Sequence, residues 1–225
     1  MAPTITLAHF CDRHGPRSIL CTQNATQFPE QFTLSDFSKE SYCEACLLVF
    51  PKSRDPTRQT STPLTTIKTN GENGQVFATT QYSALKFRQL NSVVRKCLSE
   101  ETTVYDLRPM YFGDDTRGHS LTLSFKIKDL EARGSERRYS FIVNSEKEGE
   151  ILTHWDTIIE HVKTICNLMI ERRREFELQS ATNNEIFLRG KQLQAKSLTE
   201  LLGDNQIFVK IHLWNVKLLQ KMSVT

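Results

Sequence analysis

FGDDTRGHSLTLSFKIKDLEARGSERRY, residues 112–139, is the stretch whose reading decides the fold. Leu121, Leu123, Phe125 and Ile127 alternate with Thr122, Ser124, Lys126 and Lys128. This period-two alternation predicts a half-buried antiparallel strand, one face on a core and one in water. A second strand, Tyr139–Val143, follows a gap rich in charge. Arg133 and Gly134 therefore fall near the tip of a hairpin connection, on a rigid base. An arginine in that place is either a solvated loop residue or one presented to a partner.

Upstream, Ile5–Asp12 and Arg17–Gln23 read as strands, with His14-Gly15-Pro16 as the turn between them. Pro51, Pro56 and Pro63 then lie among serines and threonines with almost no apolar periodicity. That composition predicts a flexible insertion over about 51–74 rather than a domain. Gln75–Tyr82 is a strand or an extended entry to a helix over Leu85–Leu98. In that helix Phe87, Leu90, Val94 and Cys97 recur at helical spacing, and Ser83 is placed to cap it. Tyr105–Phe112 reads as a further strand, at an edge or starting late because of Pro109.

Downstream, Ile151, Trp155, Ile158, Val162, Ile165 and Met169 lay one apolar stripe along a long helix. Ser145-x-x-Glu148 has the form of a capping box for its start. The helix is expected to reach Phe176, passing through Arg172-Arg173-Arg174. Those arginines face an acidic partner or anionic lipid, or form a solvated helical end favoured by the dipole. A loop follows over about 179–197. Ser197-x-x-Glu200 caps a short turn that ends at Gly203, and Asp204 caps a last helix carrying Ile207, Ile211, Trp214 and Leu218 on one face. The order is strand, strand, insertion, helix, three strands, helix, helix. It predicts an α+β layer arrangement in a single domain over 1–225.

Composition excludes several classes. The 225 residues are enough for one sizeable core. A net charge of +3 is too balanced to argue for nucleic acid, and no basic stripe with interleaved aromatics is present. No signal peptide is expected, because Asp12, Arg13 and His14 interrupt the first apolar stretch. The apolar runs are too short to span a bilayer, so membrane association is expected only through partners or a surface patch. The six cysteines read as thiols in a reducing compartment. Cys43-x-x-Cys46 has no second such pair, and the histidines show no ligand spacing. The pair therefore reads as two small apolar residues near a strand or short helix, with no metal and no cofactor expected. There is no G-x-S-x-G, H-E-x-x-H or G-x-x-x-x-G-K-[ST], so the chain is not expected to hydrolyse a nucleotide itself. Asp114 and Asp115 read as turn residues.

Four motifs in order carry a resemblance. F-G-D, a gap and F-x-I-K-D-x-x-A-R-G-x-x-R-x-Y-S resemble the longin domain of folliculin and its fungal homologues. So do H-F-C-D-x-H-G-P-R over His9–Arg17, the Cys43-Glu44-Ala45-Cys46 segment, and S-L-T over Ser197–Thr199. The resemblance runs from His9 to about Leu219 and is slight over roughly 24–80 and 176–196. It implies a longin topology: a five-stranded antiparallel sheet with one helix on one face and two on the other. It also implies a regulatory subunit that activates a GTPase in trans. In the family, the arginine of K-D-x-x-A-R-G is the proposed finger acting on a Rag-type small GTPase, which by position is Arg133. A guanidinium supplied from outside neutralises charge on the transferred phosphoryl group. Asp129 is expected to brace the loop and Gly134 to permit close approach. Arg137 and Arg138 either contact the GTPase surface or phosphates, or are the solvated end of the hairpin.

The partners so implied are a folliculin-interacting-type protein, paired longin to longin, and a Rag-type GTPase heterodimer in amino-acid signalling to TOR. The implied location is cytoplasmic, with recruitment to the vacuolar or lysosomal membrane. The alternative is a non-catalytic longin scaffold in the trafficking of amino-acid permeases. No DENN domain, which animal folliculin carries after its longin domain, is expected here. An unsatisfied partner face would let the isolated chain self-associate.

Overall fold

The computed structural model describes residues 2–26, 42–51, 66–71, 74–83, 86–99, 103–181 and 195–223. Strands β1 (Thr4–Cys11), β2 (Gly15–Asn24), β3 (Ile67–Asn70), β4 (Val76–Thr80), β5 (Pro109–Asp114), β6 (Gly118–Lys128) and β7 (Glu136–Ser145) form one sheet. Its spatial order is β3-β4-β2-β1-β7-β6-β5, and neighbouring strands are antiparallel throughout. Among the described residues five α-helices accompany it: α1 (Phe87–Cys97), α2 (Glu148–Thr153), α3 (Trp155–Ala181), α4 (Leu198–Leu202) and α5 (Ile207–Met222).

The α+β arrangement agrees with the sequence reading, but the sheet has seven strands where five were expected. One of the additional strands, β3, lies inside the region read as a flexible insertion. Its Ile67-Lys-Thr-Asn is too short for period-two alternation to declare itself, and its pairing with β4 supplies the order. Residues 52–65 of that insertion and 182–194 of the later loop lie outside the described residues.

The strand read as half-buried is buried on both faces through most of its length. Leu7, Leu121, Leu123, Phe125, Phe141 and Val143 pack with Ile158, Val162 and Ile165 of α3 and with Ile211 and Leu218 of α5. Ala8 and Ile142 are the next residues along their strands and so face the other way. They pack with Val93, Val94 and Cys97 of α1. Thr122, Ser124 and Ser140 share the face of Ile142. Their hydroxyls bond to one another, Thr122 to Ser140 at 2.5 Å and Ser124 to Ser140 at 3.0 Å. Thr122 and Ser124 thus lie under α1, with their hydrogen bonds made inside the protein rather than to water, while Lys126 and Lys128 remain exposed.

Local signals were kept or redirected for identifiable reasons. The β1–β2 turn is Asp12–His14; Gly15 opens β2 at φ 68°, and Pro16 is already paired with Phe10. Pro109 begins the edge strand β5, opposite Leu123 of β6. Ser83 accepts the Lys86 N–H at 3.2 Å just ahead of α1. The expected Ser145–Glu148 capping box does not form. Glu148 instead accepts the Tyr111 hydroxyl at 2.9 Å, and Ser145 donates to Glu150 at 2.5 Å. The striped helix is two helices, α2 and α3, with His154 between them donating from Nδ1 to the Glu150 carbonyl at 2.9 Å. By contrast, both arms of the Ser197–Glu200 capping box are present, and Gly203 ends α4 at φ 59°. Asp204 accepts the Gln206 N–H at 2.9 Å before α5.

Candidate functional site

The β6–β7 ladder runs out to Lys128 opposite Glu136, and Asp129–Ser135 makes the connection. Its backbone closes on itself. Ala132 N–H donates to Asp129 O, Ser135 N–H to Ala132 O and Asp129 N–H to Ser135 O, each at 3.0 Å. Arg133–Ser135 forms a single 3-10 turn in which Gly134 (φ 74°) and Ser135 (φ 58°) take left-handed backbone. A Cβ on Gly134 would meet nothing within 4 Å, so the glycine answers the backbone angle and not crowding within the chain.

Side chains fix this connection from beneath. Asp129 is 1% exposed; one carboxylate oxygen accepts the Glu131 N–H at 3.2 Å and the other accepts Arg137 Nε at 2.6 Å. A buried carboxylate needs such charged and amide donors, because water cannot supply them. Arg137 is 7% exposed, which corrects its expected place at the solvated hairpin end or on a partner's surface. It shares a strand face with Tyr139, Phe141 and Val143, and that parity is the signal that marks it as inward. Arg138 is half-buried, its guanidinium carbon 5.5 Å from the centre of the Tyr105 ring.

Neighbouring elements clamp the same connection from the sides. Arg173 donates to the Lys128 carbonyl at 2.8 Å and to the Leu201 carbonyl at 2.9 Å, and pairs with Glu177 at 3.1 Å. Lys128 pairs with Glu177 at 3.5 Å, and Lys196 with Glu131 at 3.1 Å. The Arg172–Arg174 run is thus helix interior rather than a helical end, and its middle arginine ties α3 to the β6 terminus and to α4. Arg133 stands apart from these contacts. Its side chain is exposed and, among the described residues, makes no hydrogen bond or ion pair. Leu130, 55% exposed, lies on the same connection.

Other sequence candidates resolve differently. Asp114 is consumed by its own turn, accepting the Thr116 and Arg117 N–H groups at 2.9 and 2.7 Å. Hydrogen bonding from Thr116 and Arg117 outweighs desolvation and holds its carboxyl below the usual range. The Cys43–Cys46 pair is not an isolated pair of small apolar residues. Cys11, at the end of β1, and His14, in the turn that follows, bring a Cys-x-x-His against it. One ligand atom from each of the four lies within 4.8 Å of the others. Cys43-x-x-Cys46 is legible in the sequence; Cys11-x-x-His14 corrects the reading that the histidines show no ligand spacing, and the return of a long excursion to the β1–β2 turn has no local signal. Because β1 and β7 are antiparallel, with His9 opposite Tyr139, this cluster is at the same end of the sheet as Arg133.

The site is thus an exposed arginine on a clamped turn of a helix-covered antiparallel sheet. The family model for folliculin, described as a vesicle coat protein involved in Golgi to plasma membrane transport, matches residues 75–222. The chain is 37% identical over 237 residues to Protein LST7 of Saccharomyces cerevisiae, covering 96% of this chain and 94% of that protein. It is 25% identical to folliculin-like protein bhd1 of Schizosaccharomyces pombe over 56% of this chain and 36% of that protein. It is also 24% identical to folliculin of Xenopus tropicalis over 94% of this chain and 44% of that protein. The chain belongs to the folliculin family; its match covers 94% of LST7 and less than half of the other two relatives. No helix among the described residues is long and apolar enough to cross a membrane.

Proposed function

We propose that this chain is the arginine-bearing subunit of a folliculin-type complex that activates a Rag-type small GTPase in trans. The sheet and its helices are the longin-type platform, and Arg133 is the group delivered to the partner's nucleotide site. The observation that carries this reading is the contrast on one connection: Arg133 exposed beside Gly134, above an Asp129–Arg137 pair that is buried and hydrogen-bonded. A finger in trans must be free at its tip and fixed at its base, because delivery by a floppy loop would lose the entropy advantage of a positioned charge. Exposed Leu130 supplies apolar contact next to the charge. A folliculin-interacting-type protein is the partner longin subunit. The complex acts at the vacuolar or lysosomal surface, in amino-acid signalling to TOR.

A transition-state analogue tests this apart from turnover. A finger binds the developing phosphoryl charge and not the ground state. The reconstituted complex should therefore bind GTPase loaded with GDP and aluminium fluoride more tightly than GTPase loaded with GDP alone. Arg133→Ala should erase that preference while leaving the weaker GDP-state affinity in place. A preference retained by the alanine variant would assign the finger elsewhere. The second reading, a scaffold for permease traffic, is favoured by the transport wording attached to the family. On that reading neither complex discriminates the analogue.

A further inference from the structure

We propose that Cys11, His14, Cys43 and Cys46 form a closed, four-coordinate structural site for a thiophilic divalent cation, zinc before others. The distances are the first ground. Cys11 Sγ lies 3.6 Å from His14 Nδ1 and 3.5 Å from Cys43 Sγ. Cys46 Sγ lies 3.6 Å from Cys43 Sγ and 3.5 Å from His14 Nδ1. The two remaining separations are within 4.8 Å. With Zn–S of about 2.3 Å and Zn–N of about 2.0–2.1 Å, tetrahedral coordination puts two sulfurs about 3.8 Å apart and a sulfur and a nitrogen about 3.6 Å apart. Four of the six edges thus have nearly the required length before any ion draws the ligands in. None of the sulfur pairs stands at the about 2.05 Å of a disulfide bond.

The surroundings are the second ground. His9 Nε2 lies 3.2 Å from Cys46 Sγ, while its Nδ1 is buried without a partner. That pattern fits the tautomer that donates from Nε2 to a thiolate, as outer-shell groups do around ligating sulfurs. Gln81 holds the other strand of ligands in place: its amide donates to the carbonyls of Cys46 at 2.7 Å and Ser18 at 3.1 Å, and its carbonyl accepts the Leu48 N–H at 2.7 Å. The returning segment is thereby fixed to β2 independently of any ion, so the ligand set is preformed. Cys11 and Cys46 are buried and the other two are half-buried. This leaves no open coordination position of the kind a catalytic site keeps. Three thiolates and one imidazole in tetrahedral array select zinc over magnesium, calcium or manganese. The ion would clasp residues 43–46 to the β1–β2 turn. Through His9, stacked on Tyr139 with ring centres 6.0 Å apart, it would stiffen the end of the sheet that carries Arg133.

The test is elemental analysis of the reduced, full-length protein purified without added metal, followed by exchange with cobalt. The expected result is about one zinc per chain surviving gel filtration. Cobalt should then give the d–d bands of tetrahedral coordination together with thiolate charge transfer. Cys43→Ser and Cys46→Ser should each lose the metal, whereas Cys166→Ala, far from the cluster in sequence, should keep it. His14→Cys should retain one ion and raise the thiolate charge-transfer intensity; this variant and the wild-type spectrum decide the matter if the serine variants fail to fold. A folded, reduced protein that takes up neither zinc nor cobalt would overturn the proposal. So would metal binding unaffected by the serine substitutions, or mass spectrometry showing a native disulfide among Cys11, Cys43 and Cys46.

Discussion

Arg133 on the β6–β7 connection and Arg137 just past it in β7 are four residues apart, and the fold gives them opposite work. Arg137 falls in step with Tyr139, Phe141 and Val143, so the strand carries it inward, where Asp129 pairs with it. Arg133 falls on the 3-10 turn and stays in solvent. The exposed turn and its arginine were legible in the sequence. The buried partner was not, because the charged run before Tyr139 hides the true start of the second strand at Glu136, which puts Arg137 inside the strand. Removing one member of a buried pair strands the other's charge, at a cost of about 3–5 kcal/mol. We expect Asp129→Ala to lower stability by that amount. We expect Asp129→Leu combined with Arg137→Met to recover most of it. Urea unfolding of the two variants checks this; equal losses in the single and double variants would show that the pair is not the source.

At the scale of elements, a chain of buried polar groups docks α5 onto the β2–β4–β3 half of the sheet. His212 bonds Thr69 of β3 through Nε2 and Thr79 of β4 through Nδ1, both at 2.7 Å. Thr79 meets Thr22 at 2.7 Å, and Asn215 donates to Thr22 at 3.0 Å. Burial keeps the imidazole neutral and pushes its pKa down from 6.5 to about 4. The unfolded chain therefore takes up the proton first as pH falls below about 6.5, so this stability is present above that pH and is lost toward pH 4. At about 1.4 kcal/mol per unit, the loss between pH 7 and pH 5 is about 2 kcal/mol. Burial lowers His9 to about 4 as well, with the same sign. Relative to the wild type, His212→Asn should be less stable at pH 7 and show a shallower decline to pH 5 in denaturant midpoints; parallel declines would remove His212 as the titrating group. Elements with strong local chemistry, such as the α4 capping box, were readable from sequence. Those settled by distant partners were not. β3 is defined by β4, and the Ser145–Glu148 pattern yields to Tyr111 and Glu150, which reach the same side chains from elsewhere in the fold.

For the whole molecule, the α+β layering followed from the order of periodic segments, while the width of the sheet did not, because short strands borrow their order from neighbours. The seven strands leave β3 and β5 as edges. Among the described residues no further strand pairs with either, and an edge of this kind is where an added strand can bind. Residue-scale bracing and element-scale docking both supply what the proposed function requires: a rigid body that would bring a single guanidinium to another protein's nucleotide. Single-turnover GTP hydrolysis by the Rag-type heterodimer, in the presence of the reconstituted complex, measures that most directly. With Arg133 replaced by Ala and the complex still assembled by gel filtration, the stimulated rate should fall by roughly 10³-fold or more, toward the intrinsic rate. An alanine complex that stimulates hydrolysis as fast as the wild type would contradict the account.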